Sequence, residues 1–246
     1  MRKKEREVKF TPQILFEDES LLVVDKPAGM VVNKAETTEG ETTLQDWISK
    51  NFQFPLAQDE TLRNGIVHRL DKETSGLLMV AKNKSVFEDL QRQFKERKVQ
   101  KKYLALVHGQ VMPRQGTIEA SISRSPFDRK KFGIFLGGRQ AKTQYEVKSQ
   151  YCLTKTGERF SLLTLFPQTG RTHQLRVHLK FINHPVVADE KYGGRKTARA
   201  DRRWCPRQFL HAWGLSFVHP LSQERIDLSA KLPSDLQLAM MNLDEF

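Results

Sequence analysis

The sequence predicts an α+β fold built on a mixed, largely antiparallel sheet with flanking helices and loops, and three observations predict it. Strand-like segments mostly follow one another, with few helices between them. The apolar or alternating runs are short and bounded by Gly, Pro and polar turn residues. Hydrophobic residues make up 38% of the 246 residues, enough for a substantial core, without internal repeats or low-complexity linkers. One domain over residues 11–246 is the simplest division, preceded by a basic extension at 1–10.

The elements follow in order. LLVVDKPAGM (21–30) is an apolar strand stopped by Lys26-Pro27 and Gly29. TTLQDWISKNF (42–52) fits a short helix with Leu44, Trp47 and Ile48 on one face. GLLMVAK (76–82) is a buried strand. Beyond it, Ser85 and Glu88 form a capping-box pair, and Phe87, Leu90 and Phe94 keep helical spacing through residue 97. KKYLALVHGQV (101–111), KTQYEVKSQY (142–151) and ERFSLLTLFP (158–167) read as strands. THQLRVHLKFIN (172–183) fits a helix capped by Thr172, with Leu175, Leu179 and Ile182 in register. The stretches 208–220 and 227–233 close the sheet, and a short C-terminal helix ends it.

Lys and Arg total 41 against 29 Asp and Glu, a formal net charge of +12. Such a balance favours a polyanionic partner, nucleic acid or an anionic membrane surface. No apolar run approaches the roughly 20 residues that span a bilayer. The start, MRKKEREVKF, lacks the apolar region of a secretory signal. Cys152 and Cys205 stand far apart with no CxxC or histidine-rich neighbourhood, which argues against a disulfide framework and a zinc site. The chain reads as cytoplasmic.

Two stretches carry the chemistry. In GIVHRLDKETSGLLMVAK (65–82) polar residues interrupt two apolar segments, so they belong to a loop on the rim of the sheet, where catalytic groups concentrate. Asp71 is there a candidate nucleophile or general base, although a carboxylate before a turn is commonly an Asx-turn residue or a surface ion pair. In QTGRTHQLRVHLKFINHPVVADEKYG (168–193), His173 and Arg176 are three apart near a helix N-terminus, a natural anion site. Guanidinium groups there suit a catalytic carboxylate or a phosphate. His173 and His178 are five apart, so they do not share a face as zinc ligands of the HExxH type do.

These residues resemble the RluA family of pseudouridine synthases. His68-Arg69-Leu70-Asp71 with Thr74-Ser75-Gly76 matches the family signature, Lys26-Pro27-Ala28-Gly29 its first motif, and Lys102-Tyr103-Leu104-Ala105 its tyrosine motif. Residues 169–178 match its arginine motif and Phe209-Leu210-His211-Ala212 its late strand motif, in the family's order across roughly 14 to 233. The resemblance implies a pseudouridine synthase fold and a cofactor-independent, metal-free isomerase acting on structured RNA, ribosomal or transfer. It makes Asp71 the catalytic aspartate, attacking either C6 of the uracil or C1′ of the ribose. Arg176 becomes its charge partner and Tyr103 the tyrosine that stacks on the target base. The resemblance also gives Arg69 the space vacated by the extruded base, and sets Leu78 and Leu175 as apolar walls. His68, Arg171 and His173 fall among the RNA-contacting residues. Many relatives carry a small N-terminal RNA-binding S4 domain. Here too few residues precede Lys26 for a domain of roughly 50, so the expectation is a catalytic domain without one, acting as a monomer.

The excess charge lies in three clusters, 92–102, 124–142 and 195–207. The last, with Arg199, Arg202, Arg203 and Trp204, reads as a basic loop suited to phosphate contact and base stacking. Two rival functions remain: a non-catalytic RNA-binding or ribosome-assembly factor, which needs the charge but not Asp71, Tyr103 and Arg176 together, and a carboxylate glycosidase, for which no second acid is apparent.

Overall fold

The computed structural model describes residues 11–35 and 40–246, so the expected basic extension at 1–10 lies outside the described residues. Chain contacts divide into two compact units, one ending at Glu88 and the other running from Asp89 to Phe246.

In the first unit, β1 (Gln13–Glu17), β2 (Leu21–Lys26) and β3 (Ser75–Ala81) form an antiparallel sheet in that order. All seven residues of β3 are buried, so its two faces are both covered and the sequence shows a continuous apolar run instead of alternation. α1 (Leu44–Asn51) begins with a reciprocal cap: Asp46 N–H donates to the Thr43 hydroxyl, and the Thr43 N–H and hydroxyl donate to the Asp46 carboxylate. Leu44 and Ile48 are its buried residues at helical spacing.

α2 (Lys84–Lys95) crosses the division between the units. Its start corrects the sequence expectation. Ser85 already lies inside the helix, and Asn83 Oδ1 instead accepts from the Val86 N–H at 3.0 Å and the Ser85 hydroxyl at 2.9 Å. The Asn83 carboxamide, two residues earlier, therefore caps the helix in place of the Ser85 and Glu88 box that was expected.

In the second unit, β11 (Arg225–Ser229), β10 (Leu210–Val218), β4 (Gln100–His108), β9 (Arg159–Pro167) and β8 (Lys142–Leu153) lie side by side, every pair antiparallel. β8 also pairs with β5 (Gln115–Glu119) and β12 (Leu243–Glu245). β6 (Ile122–Arg124) and β7 (Phe132–Ile134) form a separate hairpin. α3 (Gln174–Phe181) follows β9, α4 (Arg195–Asp201) precedes β10, and α5 (Ser234–Met240) precedes β12. Ile122, Ala141, Val177 and Tyr192 make a small core against which Phe132 and Ile134 of the hairpin pack. The mixture of helices with antiparallel strands is the α+β architecture expected from the sequence.

Two local expectations change. Thr172 does not cap α3; His173 occupies the cap position in the left-handed region at φ 54°, and no side chain bonds the cap. The stretch from Arg195 is also not a loop throughout, because its first seven residues are α4. Two alanines among long basic side chains are good helix formers.

Candidate active site

The segment carrying Asp71 leaves a 3-10 turn at Arg63–Gly65. Gly65 has φ +82°, and a Cβ there would run into the Ala81 carbonyl, so this close approach requires glycine. Ile66 then bridges to Val80, and the Met79 N–H donates to His68 Nε2 at 3.1 Å. His68 is thus fastened to β3, which puts the proton of the neutral ring on Nδ1. Arg69 is exposed, Leu70 buried and Asp71 half-buried. Leu78 sits inside β3, fully covered.

A tight turn follows, in which the Asp71 carbonyl accepts from the Thr74 N–H at 3.1 Å. Lys26, at the end of β2, holds this turn. Its side chain has no exposed surface, and Nζ donates to the carbonyls of Pro27 at 2.8 Å, Met30 at 2.9 Å and Lys72 at 3.3 Å. The Gly29 N–H reaches the same Lys72 carbonyl at 2.8 Å. A buried ammonium is tolerated only with such partners. The loop 26–30 and the loop 71–74 are thereby joined beside Asp71. The sequence reading quoted Lys26 as a motif residue without giving it this task.

In the second unit, Tyr103 lies on β4 opposite Leu165 of β9 and is 8% exposed. Arg176, on the first turns of α3, makes a two-pronged ion pair with Asp189: Nε to Oδ2 at 2.6 Å and Nη2 to Oδ1 at 2.8 Å. Both side chains are largely removed from solvent. The Asp189 carboxylate also accepts from the backbone N–H groups of Lys191 at 3.0 Å and Tyr192 at 3.2 Å. The Arg176 guanidinium stands 5.0 Å over the Tyr192 ring, a cation–π arrangement. Tyr192 Oη accepts from the Phe132 N–H at 3.2 Å and lies 2.7 Å from His173 Nδ1. Asp189 and Tyr192 therefore fix the direction of Arg176, and Tyr192 links it to His173. Sequence reasoning passed over both, because a buried carboxylate inside VADEKYG looks like a surface turn. The apolar run Val186-Val187-Ala188 just before it was the available signal.

Leu175 is 7% exposed at the start of α3. Before it, the turn 169–171 is held by Gln174, whose Oε1 accepts from the Thr169 hydroxyl at 2.7 Å and the Arg171 N–H at 3.0 Å. Gln174 Nε2 donates to the Lys142 carbonyl at 3.1 Å and to Thr143 Oγ1 at 3.0 Å. Thr143 Oγ1 is 3.0 Å from His178 Nδ1, and His178 Nε2 is 3.1 Å from the Ala120 carbonyl. A carbonyl only accepts, so His178 carries its proton on Nε2 and takes the Thr143 hydroxyl proton on Nδ1. Burial pushes the His178 pKa down, against the Ala120 hydrogen bond, which agrees with a neutral ring. Arg171, half-buried, donates from Nε to the Gln140 carbonyl at 3.1 Å.

An open cavity of about 440 Å³ lies beside this turn, lined by Arg97, Glu119, Ser121, Gln140, Lys142 and Thr169. Lys142 pairs with Glu119 across it. Lys101 approaches Gly170, and burial pushes its ammonium down to about 8. In the hairpin region Phe127 is 92% and Leu136 104% exposed, with Arg124, Arg129, Lys130 and Lys131 exposed around them.

The basic cluster at 195–207 divides by role. Arg199, Arg202 and Arg203 are exposed on or just after α4. Arg207 is buried and pairs with Asp235 of α5, Nε to Oδ2 at 2.6 Å, so it belongs to the core. Trp204 packs edge-on against Phe160, with ring centroids 5.4 Å apart, and anchors the end of α4. Among the described residues no group of three or more His, Cys, Asp or Glu side chains could hold a metal ion. No helix among them is long and apolar enough to cross a membrane.

The first unit offers a half-buried carboxylate on a braced loop, and the second a strand tyrosine and a charged arginine fixed by a buried partner. The family model of RNA pseudouridylate synthases matches residues 20–181. An uncharacterized RNA pseudouridine synthase of Bacillus subtilis is 40% identical over 230 residues, 94% of this chain and 72% of that protein. The ribosomal large subunit pseudouridine synthase D of Nitrosomonas europaea is 40% identical over 228 residues, 91% of this chain and 63% of that one. The chain thus spans roughly two thirds of the length of such relatives. Among solved structures, human RNA pseudouridylate synthase domain containing 1 superposes with a TM-score of 0.75 at 30% identity, covering 96% of this chain and 89% of the other.

Proposed function

Because this chain belongs to the RNA pseudouridylate synthase family, we propose that it is an isomerase that converts selected uridines of structured RNA to pseudouridine with Asp71 as the nucleophile. The observation that carries the reading is the extent of the family match, residues 20–181, which takes in Asp71, Tyr103 and Arg176 together. The substrate is ribosomal RNA, with transfer RNA as the second choice; the names of the relatives from Nitrosomonas and Neisseria, ribosomal large subunit pseudouridine synthase D, favour the first. Modification of these RNAs places the enzyme in the cytoplasm.

The target uridine is swung out of its stack before reaction, at a cost of a few kcal/mol in unstacking. Arg69, exposed beside the nucleophile, takes its place in the RNA, where a guanidinium stacks and bonds phosphate. The Asp71 carboxylate adds to C6 of the uracil or to C1′ of the ribose, the N1–C1′ bond breaks, and the base turns. C5 then bonds to C1′, C5 gives up its proton while N1, freed from the ribose, takes one, and the bond to Asp71 is released. The product is an isomer of the substrate, so no redox partner enters the balance. Tyr103 stacks on the base, and Leu78 and Leu175 supply apolar surface. The Arg176 charge favours the ionised aspartate. His68, Arg171, His173 and the arginines of α4 contact the surrounding RNA.

Replacing Asp71 with Asn tests this reading. Size and polarity are retained while the nucleophilic charge is lost, so pseudouridine formation should vanish and RNA affinity should stay close to the parent's. Substantial product from the Asn variant would remove Asp71 from the mechanism.

A further inference from the structure

Between Arg176 and α4 runs a short relay. Asp189, which grips Arg176, follows Ala188, a non-glycine residue in the left-handed region at φ 59°. Such a backbone persists only where its surroundings hold it. The hold comes from Asp201, the last residue of α4: its Oδ2 accepts from the Ala188 N–H at 2.8 Å. Asp201 is 3% exposed, and the same oxygen lies 3.0 Å from His108 Nε2 on β4. His108 Nδ1 is in turn 3.1 Å from Glu158, and its ring stands against Phe160, which meets Trp204 at the end of α4. The backbone on either side is tied down as well, with Val187 N–H bonded to the Leu106 carbonyl at 2.9 Å and Gly193 N–H to the Asp189 carbonyl at 2.8 Å. The Ala188 N–H is thus the point at which α4 enters this frame.

We infer that Asp201 is a positioning residue for Arg176: by accepting the Ala188 N–H it holds the left-handed turn that aims Asp189 at the guanidinium, and it ties that geometry to the helix bearing Arg199. The helix proposed to touch RNA through its outer face therefore also sets, through its inner face, the arginine proposed to serve the chemistry. RNA that pulls on α4 acts on Arg176 through one carboxylate. The inference rests on the role proposed for Arg176.

Four variants test it: Asp201→Ala, Asp201→Asn, Ala188→Gly, and Ala188→Gly combined with Asp201→Ala. Asn keeps an oxygen for the Ala188 N–H, and glycine accepts φ 59° without a partner. Misplacing a positioned group by about 1 Å costs on the order of a hundredfold in rate. Asp201→Ala should therefore lower the single-turnover rate at saturating RNA by roughly ten- to a hundredfold with affinity little changed. Asp201→Asn should stay close to the parent, and Ala188→Gly should restore much of the rate lost in Asp201→Ala. The double variant keeps the test in hand if Asp201→Ala alone folds poorly. The Arg176 Nε–H resonance, assigned by its loss in Arg176→Lys, gives a second readout that needs no activity: it should shift or broaden in Asp201→Ala and return in the double variant. A parent-like saturated rate and an unmoved resonance in Asp201→Ala would overturn the inference, as would a glycine at 188 that rescues neither. A parent enzyme that forms no pseudouridine would instead overturn the proposed function, and the resonance would still decide whether Asp201 positions Arg176.

Discussion

Replacing Thr143 with Val isolates the hydrogen bonds that hold the start of α3, because the two side chains have nearly the same shape. Thr143 has no exposed surface, and its hydroxyl serves Gln174 Nε2 and His178 Nδ1, each at 3.0 Å. Valine leaves one Gln174 N–H and the His178 lone pair without that partner in a place water does not reach. Each such orphaned group costs about 1–3 kcal/mol, so the expected loss of stability is about 2–6 kcal/mol. At about 2–4 °C per kcal/mol for a chain of this size, the melting point should fall by at least about 4 °C. Thr143→Ser separates hydrogen bonding from packing, since it keeps the hydroxyl and removes one methyl, a change worth about 1 kcal/mol. Urea unfolding followed by far-UV circular dichroism measures both. Thr143→Val should be the more damaging, and its single-turnover rate should fall as well, because Gln174 also holds the turn before Arg176. If valine is as stable as the parent, or if serine is the worse of the two, the network does not brace α3 and the reasoning fails.

The other predictions concern charge. Burial works against the His108 cation, but the hydrogen bond and charge of Asp201 and then of Glu158 outweigh it, so its pKa is raised. A raised folded-state pKa gives stability that is fully present below the unfolded value of about 6.5 and is lost as pH rises through the folded value. The urea midpoint difference between parent and His108→Gln should accordingly be largest near pH 6 and shrink toward pH 9; an equal difference at both would show that the ring acts only by packing. Neutralising Arg199, Arg202 and Arg203 together to Gln should weaken RNA binding and flatten the slope of log affinity against log salt by about two to three units if all three meet phosphate. An unaltered slope would make that face of α4 a solvated surface and nothing more. Thorough chelation should leave activity intact on an RNA that folds without divalent ions; loss with chelator and recovery with zinc would count against the proposed chemistry.

Most strands that form the interior were legible in the sequence, because burial leaves an apolar mark. Residues 76–82 and 158–167 fall within one residue of β3 and β9. β1 was not, since four of its five residues are exposed and the pairing that makes it a strand is backbone bonding to β2. α4 was hidden by its charge: seven residues with few apolar side chains carry little periodicity, and the helix exists because Ala198 and Asp201 are buried against the sheet. At the candidate site the motif residues stood out, while the groups that aim them did not. Lys26 acts through the nearby carbonyls of Pro27 and Met30 and that of Lys72, 46 residues on, and Asp189 through a guanidinium thirteen residues away. Neither pairing follows from spacing on a helix or strand. The start of α3 misled for a related reason: Thr172 was expected to cap it, but the turn before the helix is held by Gln174, which accepts from Thr169 and Arg171.

The three carbonyls gathered by Lys26 have a consequence for motion. Two loops that would each fluctuate on its own are pinned to one nitrogen, so residues 27–30 and 71–74 move as a single body or open together. Opening exposes an ammonium and three carbonyls at once, an all-or-none event instead of gradual fraying. The Lys26 amine protons, shielded while the node is closed, should exchange with solvent at the frequency of that event. That exchange rate is a clock for how often the aspartate loop leaves its resting position.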